Sequence, residues 1–144
     1  MEEQTIHQVS SATVLAERFI RYTRSTIFLT GKAGTGKTTF LQKIKTASGK
    51  RTIVAAPTGI AALNAGGVTL HSLFLLPFGG FIPDSGDMVA DGNLKFETRS
   101  TLLRHARYSG KKLKLLKTAE LLIIDEVSML RSDVLDAVDF ILRN

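Results

Sequence analysis

Between Thr26 and Phe40 the sequence reads TIFLTGKAGTGKTTF, an apolar run set against a glycine-rich turn, a lysine and two threonines. Gly31, Gly36, Lys37 and Thr38 satisfy the G-x-x-x-x-G-K-[ST] spacing of a phosphate-binding loop. Gly31, Gly34 and Gly36 admit backbone angles that a side chain opposes, so successive N–H groups can turn inward around phosphate oxygens at a helix start. Lys37 would bring a mobile positive charge to the outer phosphates. The Thr38 hydroxyl suits the magnesium that travels with a nucleoside triphosphate. The alternative is a solvated Gly/Lys/Thr turn. The flanks argue against it, because Ile27-Phe28-Leu29 reads as a buried strand and Phe40, Leu41, Ile44 and Ala47 recur at helical spacing.

A second chemical signal lies in Glu120–Asp125 (ELLIID), where four apolar residues rise into the pair Asp125-Glu126. Two carboxylates at the carboxyl end of a buried strand form a Walker B arrangement. Asp125 would hold magnesium through water, and Glu126 would orient and deprotonate an attacking water. Seen alone, such a pair could equally be an acidic surface turn.

The elements that must position these groups follow from periodicity. Ser10-Ser11, then Leu15, Phe19 and Tyr22 with Ala12, Ala16 and Ile20 beside them, predict a capped amphipathic helix of about twelve residues. The phosphate-loop helix stops at Ala47-Ser48-Gly49-Lys50, and Arg51–Ala56 is a second buried strand broken by Pro57-Thr58-Gly59. Ile60–Ala65 is a short helix, so strand–turn–helix recurs and a parallel, right-handed α/β arrangement is expected. Leu76–Lys95 gathers Pro77, Gly79-Gly80, Pro83, Gly86 and Asp91-Gly92-Asn93 into a long loop, with Phe78 and Phe81 as partial anchors. Ser100–Ser109 predicts a helix with Leu102, Leu103 and Ala106 inward, Lys111–Lys117 another, and Val134, Val138 and Ile141 a last one.

At 144 residues the chain suits one domain that buries roughly 70% of its unfolded surface. No apolar run approaches the roughly 20 residues of a bilayer span, and MEEQTIHQ does not read as a signal peptide. Cysteine is absent, which excludes disulfides and thiolate metal sites and fits a reducing cytoplasm. The net charge is +6, and between Glu97 and Glu120 the chain carries Arg99, Arg104, Arg107, Lys111, Lys112, Lys114 and Lys117 with no acid. That local excess points to an anionic partner such as nucleic acid, or else to a solvated helix face.

With these segments placed, the chain resembles the PIF (petite integration frequency) family of superfamily-one DNA helicases, and more distantly the RecD-like helicases, from about Ile27 to Leu130. FLTGKAGTGKT looks like motif I of that family, APTGIAALNAGGVTLHS like motif Ia and LLIIDEVSML like motif II. The second is the particular one, since PTG-x-AA-x-N-x-GG-x-T-x-HS has no generic folding reason to recur.

The resemblance implies ATP and Mg2+ as cofactors. It assigns nucleotide binding to Gly31, Ala33, Gly34, Thr35, Gly36, Lys37, Thr38 and Thr39, the metal to Thr38 and Asp125, and catalysis to Lys37 and Glu126. It also implies that Pro57, Thr58, Gly59, Thr69, His71 and Ser72 face single-stranded DNA, where hydroxyls and amides bind phosphates without reading sequence. His71 could stack on a base; the alternative is a core histidine behind Leu70 and Leu73. Ser128 and Met129 would link motif II to the DNA-facing layer, unless Met129 simply packs.

The implied fold is α/β, a RecA-like P-loop NTPase sandwich of three layers with a mainly parallel sheet, truncated before the motif III strand. Residues 1–25 would form an amino-terminal helix region, 26–75 motifs I and Ia, 76–118 a loop and basic helical insert, and 119–144 motif II and its helix. The implied function is the amino-terminal motor fragment of an ATP-dependent 5′ to 3′ DNA helicase in replication, recombination or repair. The alternatives are an AAA-type DNA-linked ATPase, which lacks the PTGIAALNAGG stretch, and a non-catalytic nucleotide-binding module. The expected location is the cytoplasm, on the nucleoid in a bacterium, with no membrane partner.

Two departures carry consequences. Only Gln4 and Gln8 precede motif I as candidate adenine readers, and the sequence stops at Asn144 before a motif III strand and a second RecA-like domain with its arginine finger. The fragment is therefore expected to bind nucleotide weakly and turn over little ATP. A sheet lacking its central strand is expected to be abnormal or to be completed by a dimer.

Overall fold

Residues 11–83, 96–105 and 107–144 are described by a computed structural model of the chain, whose backbone separates into the units Met1–Lys50 and Arg51–Asn144. Gln4, Gln8, Ser10, Gly86, Asp91-Gly92-Asn93, Lys95 and Ala106 lie outside the described residues, so the expectations placed on them are not addressed.

The first unit holds two helices, α1 (Ser11–Tyr22) and α2 (Lys37–Ala47). Within it Glu17 pairs with Arg21 at 2.9 Å, one helical turn away, and with Lys43 of α2 at 2.7 Å. Those two cations hold the Glu17 carboxyl below its usual range, Lys43 through its hydrogen bond first. Ala16, Phe40 and Ile44 are buried. The apolar face expected on α1 is not buried: Leu15 is 56% and Tyr22 79% exposed, and Phe19 is also open. α1 ends where Thr23 Oγ1 donates to the Phe19 carbonyl and accepts the amide of Ser25, and α2 ends before Gly49, whose φ of +69° needs no Cβ.

The strand expected at Ile27-Phe28-Leu29 does not form, and Phe28 is 75% exposed. The physical reason is pairing. An extended segment satisfies its N–H and C=O groups only through a ladder, and the described residues of this unit include no strand beside it.

The second unit is built on a parallel sheet in the order β2-β1-β5, from β1 (Thr52–Ala56), β2 (Val68–Thr69) and β5 (Leu121–Ile124). β1 is central: Ala55 pairs with Val68 on one side and Ile124 on the other. At the entry, Arg51 takes the Glu120 carboxylate on its amide at 3.0 Å and accepts the Glu120 amide on its carbonyl at 2.9 Å, which sets the register. Among the described residues β5 has one neighbour, so its other edge carries no ladder. No described segment pairs with that edge.

Around the sheet run α3 (Gly59–Asn64), α4 (Leu70–Phe74), α5 (Arg99–His105), α6 (Gly110–Thr118) and α7 (Ser132–Arg143). The core gathers Ile53 and Ala55 of β1 with Leu70, Leu73 and Phe74 of α4, Leu102 of α5 and Val134, Ala137 and Val138 of α7. Each of the large side chains contributes on the order of 1.5–3 kcal/mol by burial. Leu103, expected inward, is 47% exposed, because the two-turn α5 has one stripe and Leu102 occupies it. Elsewhere Ala56 packs on Ala61 and Ala62, small residues that let α3 approach β1.

Gly67 shows why the small residues continue past α3. A Cβ there would lie 2.2 Å from the Val54 carbonyl oxygen. The predicted loop also contains structure: β3 (Gly80–Phe81) pairs in parallel with β4 (Phe96–Glu97), and the Phe81 amide donates to Asp133 Oδ2 at 3.1 Å. Phe81 is buried beside Phe140 as an anchor, whereas Phe78 is 92% exposed and is not one.

Candidate functional site

In the first unit the glycine loop has the conformation its spacing demands. Gly34 and Gly36 sit at φ +76° and +83°, and Gly36 is the residue from which α2 departs without a side-chain cap. The orphan amides at the start of α2 are therefore left for another acceptor. Lys37 Nζ folds back across the loop and donates to the carbonyls of Gly31 at 2.7 Å and Lys32 at 2.9 Å. Thr35 Oγ1 donates to the same Lys32 carbonyl at 2.8 Å, which closes the turn. Gly31 is held close to Thr35, since a Cβ on it would meet Thr35 Oγ1 at 2.8 Å. Ala33, Thr38 and Thr39 are exposed. With its ammonium seated on carbonyl oxygens, the loop holds a cation that can exchange those weak acceptors for an anion.

In the second unit the parallel strands deliver the remaining candidates to one edge. One step past the pair Ala55–Ile124, Asp125 stands beside Ala56, whose partner on the other side is Thr69. The Asp125 amide donates to the Ala55 carbonyl at 2.9 Å, and Asp125 Oδ1 accepts the Glu126 amide at 2.9 Å. Glu126 has φ +52°, a left-handed backbone that is costly for a residue with a Cβ, and it lies exposed at the start of a 3-10 turn, Val127–Met129. Ser128 and Met129 are exposed, so Met129 is not core packing.

Pro57, Thr58 and Gly59 follow β1 directly. Thr58 caps α3 by accepting the Ala61 amide at 3.2 Å, and Thr69 caps α4 by accepting the Ser72 amide at 3.1 Å. Both hydroxyls thus have a structural duty, yet each still has its O–H to donate. His71 is not a core histidine: its ring stacks on Phe78 with centroids 5.4 Å apart and an interplanar angle of 13°. Lys112 of α6 donates through Nζ to the Ser72 carbonyl, and the Tyr108 hydroxyl donates to the Phe74 carbonyl at 2.7 Å. Burial pushes the Tyr108 phenol up.

The structure therefore gathers Pro57, Thr58, Gly59, Thr69, His71, Ser72, Asp125 and Glu126 in the second unit, and Gly31 through Thr39 in the first. Sequence reasoning missed Lys112 as a neighbour of α4 and Phe78 as a partner of His71. Neither contact leaves a periodic trace: Lys112 lies 40 residues from Ser72, and Phe78, though near His71 in sequence, sits past the end of α4 where helical spacing no longer applies.

The family model for PIF1-like helicases matches residues 4–144. The chain is 39% identical over 122 residues to ATP-dependent DNA helicase PIF1 of Saccharomyces cerevisiae, covering 81% of this chain and 12% of that protein. It is 37% identical over 132 residues to ATP-dependent DNA helicase Pif1 of Campylobacter jejuni, covering 89% of this chain and 26% of that protein. Among solved structures it is similar to Bacteroides sp Pif1 in complex with ADP-AlF4, with TM-score 0.73, 46% identity, and coverage of 93% of this chain and 27% of that one. It is likewise similar to a Pif1 chain from a study of two coordinating helicases at forked dsDNA, with TM-score 0.74, 45% identity, and coverage of 94% and 29%. The chain thus spans less than a third of the length of each of these proteins, and its α/β fold is part of their RecA-like P-loop fold.

Proposed function

This chain belongs to the PIF1-like helicase family, and on that footing we propose that it is the ATP-binding portion of an ATP-dependent DNA helicase motor. The observation that carries the reading is the loop at Gly31–Lys37: two left-handed glycines, uncapped helix amides and an ammonium parked on carbonyls, an arrangement suited to a polyphosphate. Similarity to a Pif1 solved with ADP-AlF4, and to another bound to ssDNA, supports nucleotide and single-stranded DNA as the ligands. The relatives are named helicases, which favours a motor over an AAA-type ATPase or a non-catalytic module.

In this reading residues 31–39 wrap the phosphates and Lys37 neutralises the outer ones, while the Thr38 hydroxyl and the Asp125 carboxylate are each of the chemistry that magnesium favours, the roles that the family resemblance gives them. Magnesium would screen phosphate charge. Glu126 accepts the proton of the attacking water. Pro57, Thr58, Gly59, Thr69, His71 and Ser72 line the strand path, and the exposed cations of α6 add contacts that do not depend on sequence. A second RecA-like domain with an arginine finger would complete the motor, with 5′ to 3′ movement taken from the family resemblance, in the cytoplasm.

Thermal melting with Mg·ATP tests the loop. At 100 times its dissociation constant the nucleotide should stabilise the chain by about 2.7 kcal/mol. Lys37→Ala should lose that shift while melting alone as the parent does. An undiminished shift in Lys37→Ala would refute the reading.

A further inference from the structure

Phe78 is 92% exposed, the most open of the large apolar side chains among the described residues. Isolated exposed apolar residues are ordinary. Phe78 differs in what it does with its ring, which lies nearly parallel to His71 at 5.4 Å and leaves its other face to solvent. His71 lies between Thr69 and Ser72 along the chain, and the Ser72 carbonyl holds the Lys112 ammonium, so hydroxyls and a cation are adjacent to the residue on which Phe78 stacks. An open aromatic face beside a cation and hydroxyl donors matches a nucleotide unit of single-stranded nucleic acid, with a base for the ring and a phosphate for the polar groups.

We infer that Phe78 is a base-stacking residue: His71 holds its ring in place from below, and an unpaired base of single-stranded DNA packs on its free face. The inference rests on the reading that this edge of the sheet faces the strand, and it goes further by assigning a contact to a side chain outside the helicase motifs. Stacking of this type reads no sequence, because every base presents a π-face. It does distinguish a strand with bases from one without them.

That distinction supplies the test. Binding of the full chain to oligothymidylate and to an abasic strand of equal length would be measured by fluorescence anisotropy over a range of salt. The parent chain should prefer oligothymidylate, and Phe78→Ala should lose about ten-fold affinity for it, with little change for the abasic strand and an unchanged salt slope. Because the sequence has no tryptophan, Phe78→Trp creates a single fluorophore at the site. It should bind as the parent does and be quenched by oligothymidylate but not by the abasic strand. Phe78→Ala that keeps the parent's preference, or an unquenched Phe78→Trp that binds, would overturn the inference while leaving the DNA reading intact. A parent chain that binds neither strand would overturn both.

Discussion

The backbone amide of Asp125 donates to the carbonyl oxygen of Ala55 at 2.9 Å, so the carboxylate that ends β5 is tied to the strand that delivers Pro57, Thr58 and Gly59. Ala55 itself is fully buried. A candidate metal ligand and a candidate DNA loop are thereby mounted on two paired, rigid strands, and movement of one backbone is resisted by the other.

Asp125→Asn keeps that amide and the strand pairing, since both are main-chain interactions. Its folding stability should stay within about 0.5 kcal/mol of the parent by urea denaturation. Its magnesium response should not survive: calorimetric titration of ATP with and without Mg2+ should show a metal-dependent gain in affinity for the parent and little or none for Asp125→Asn.

Glu126 holds a left-handed φ of +52°. Glycine relieves that strain, so Glu126→Gly should match the parent or exceed it by up to about 1 kcal/mol in urea. Hydrolysis in the complete helicase should fall by about 10²-fold or more in the same variant, as loss of a general base predicts. A Glu126→Gly chain less stable than the parent by more than 1 kcal/mol would contradict this account of the backbone.

Gly67 faces the opposite constraint. With the Val54 carbonyl oxygen 2.2 Å from the position of a Cβ, Gly67→Ala must push the turn after α3 away from β1. Backbone cannot swing aside as a side chain does, so the loss should reach about 3 kcal/mol, the upper end for overpacking. Chemical denaturation reads it directly, with Gly59→Ala, where nothing lies within 4 Å, as the control.

Asp133 is held below the usual carboxylate range, first by its hydrogen bond from Arg131, which outweighs the opposing effect of burial, and then by the lesser contribution of the Phe81 amide. A carboxyl with a depressed folded-state pKa stabilises the fold above its unfolded value of about 3.9, and that contribution is lost as pH falls through the folded value. Acid titration of stability should therefore show a steeper loss below about pH 4 in the parent than in Asp133→Asn. At neutral pH the variant should be weaker by about 1 kcal/mol, because the Phe81 amide and Arg131 lose a charged acceptor at a partly exposed site.

What the sequence determined by itself was whatever depends on local pattern. Glycines at 34 and 36 took left-handed angles because no other residue does so at little cost, and the apolar runs at 52–56 and 121–124 became paired strands because each has a neighbour. The acid pair at 125–126 emerged at the strand's carboxyl end for the same reason. Tertiary structure decided the rest. Ile27-Phe28-Leu29 has strand composition but no strand because a ladder needs a second chain segment, which composition does not supply. Leu15, Phe19 and Tyr22 share a helical face, yet a face is buried only where something covers it. His71 lies outside the core and stacks on Phe78, just past the end of α4, because of how the chain turns there, and Lys112 reaches the Ser72 carbonyl from 40 residues away; no local periodicity encodes either contact.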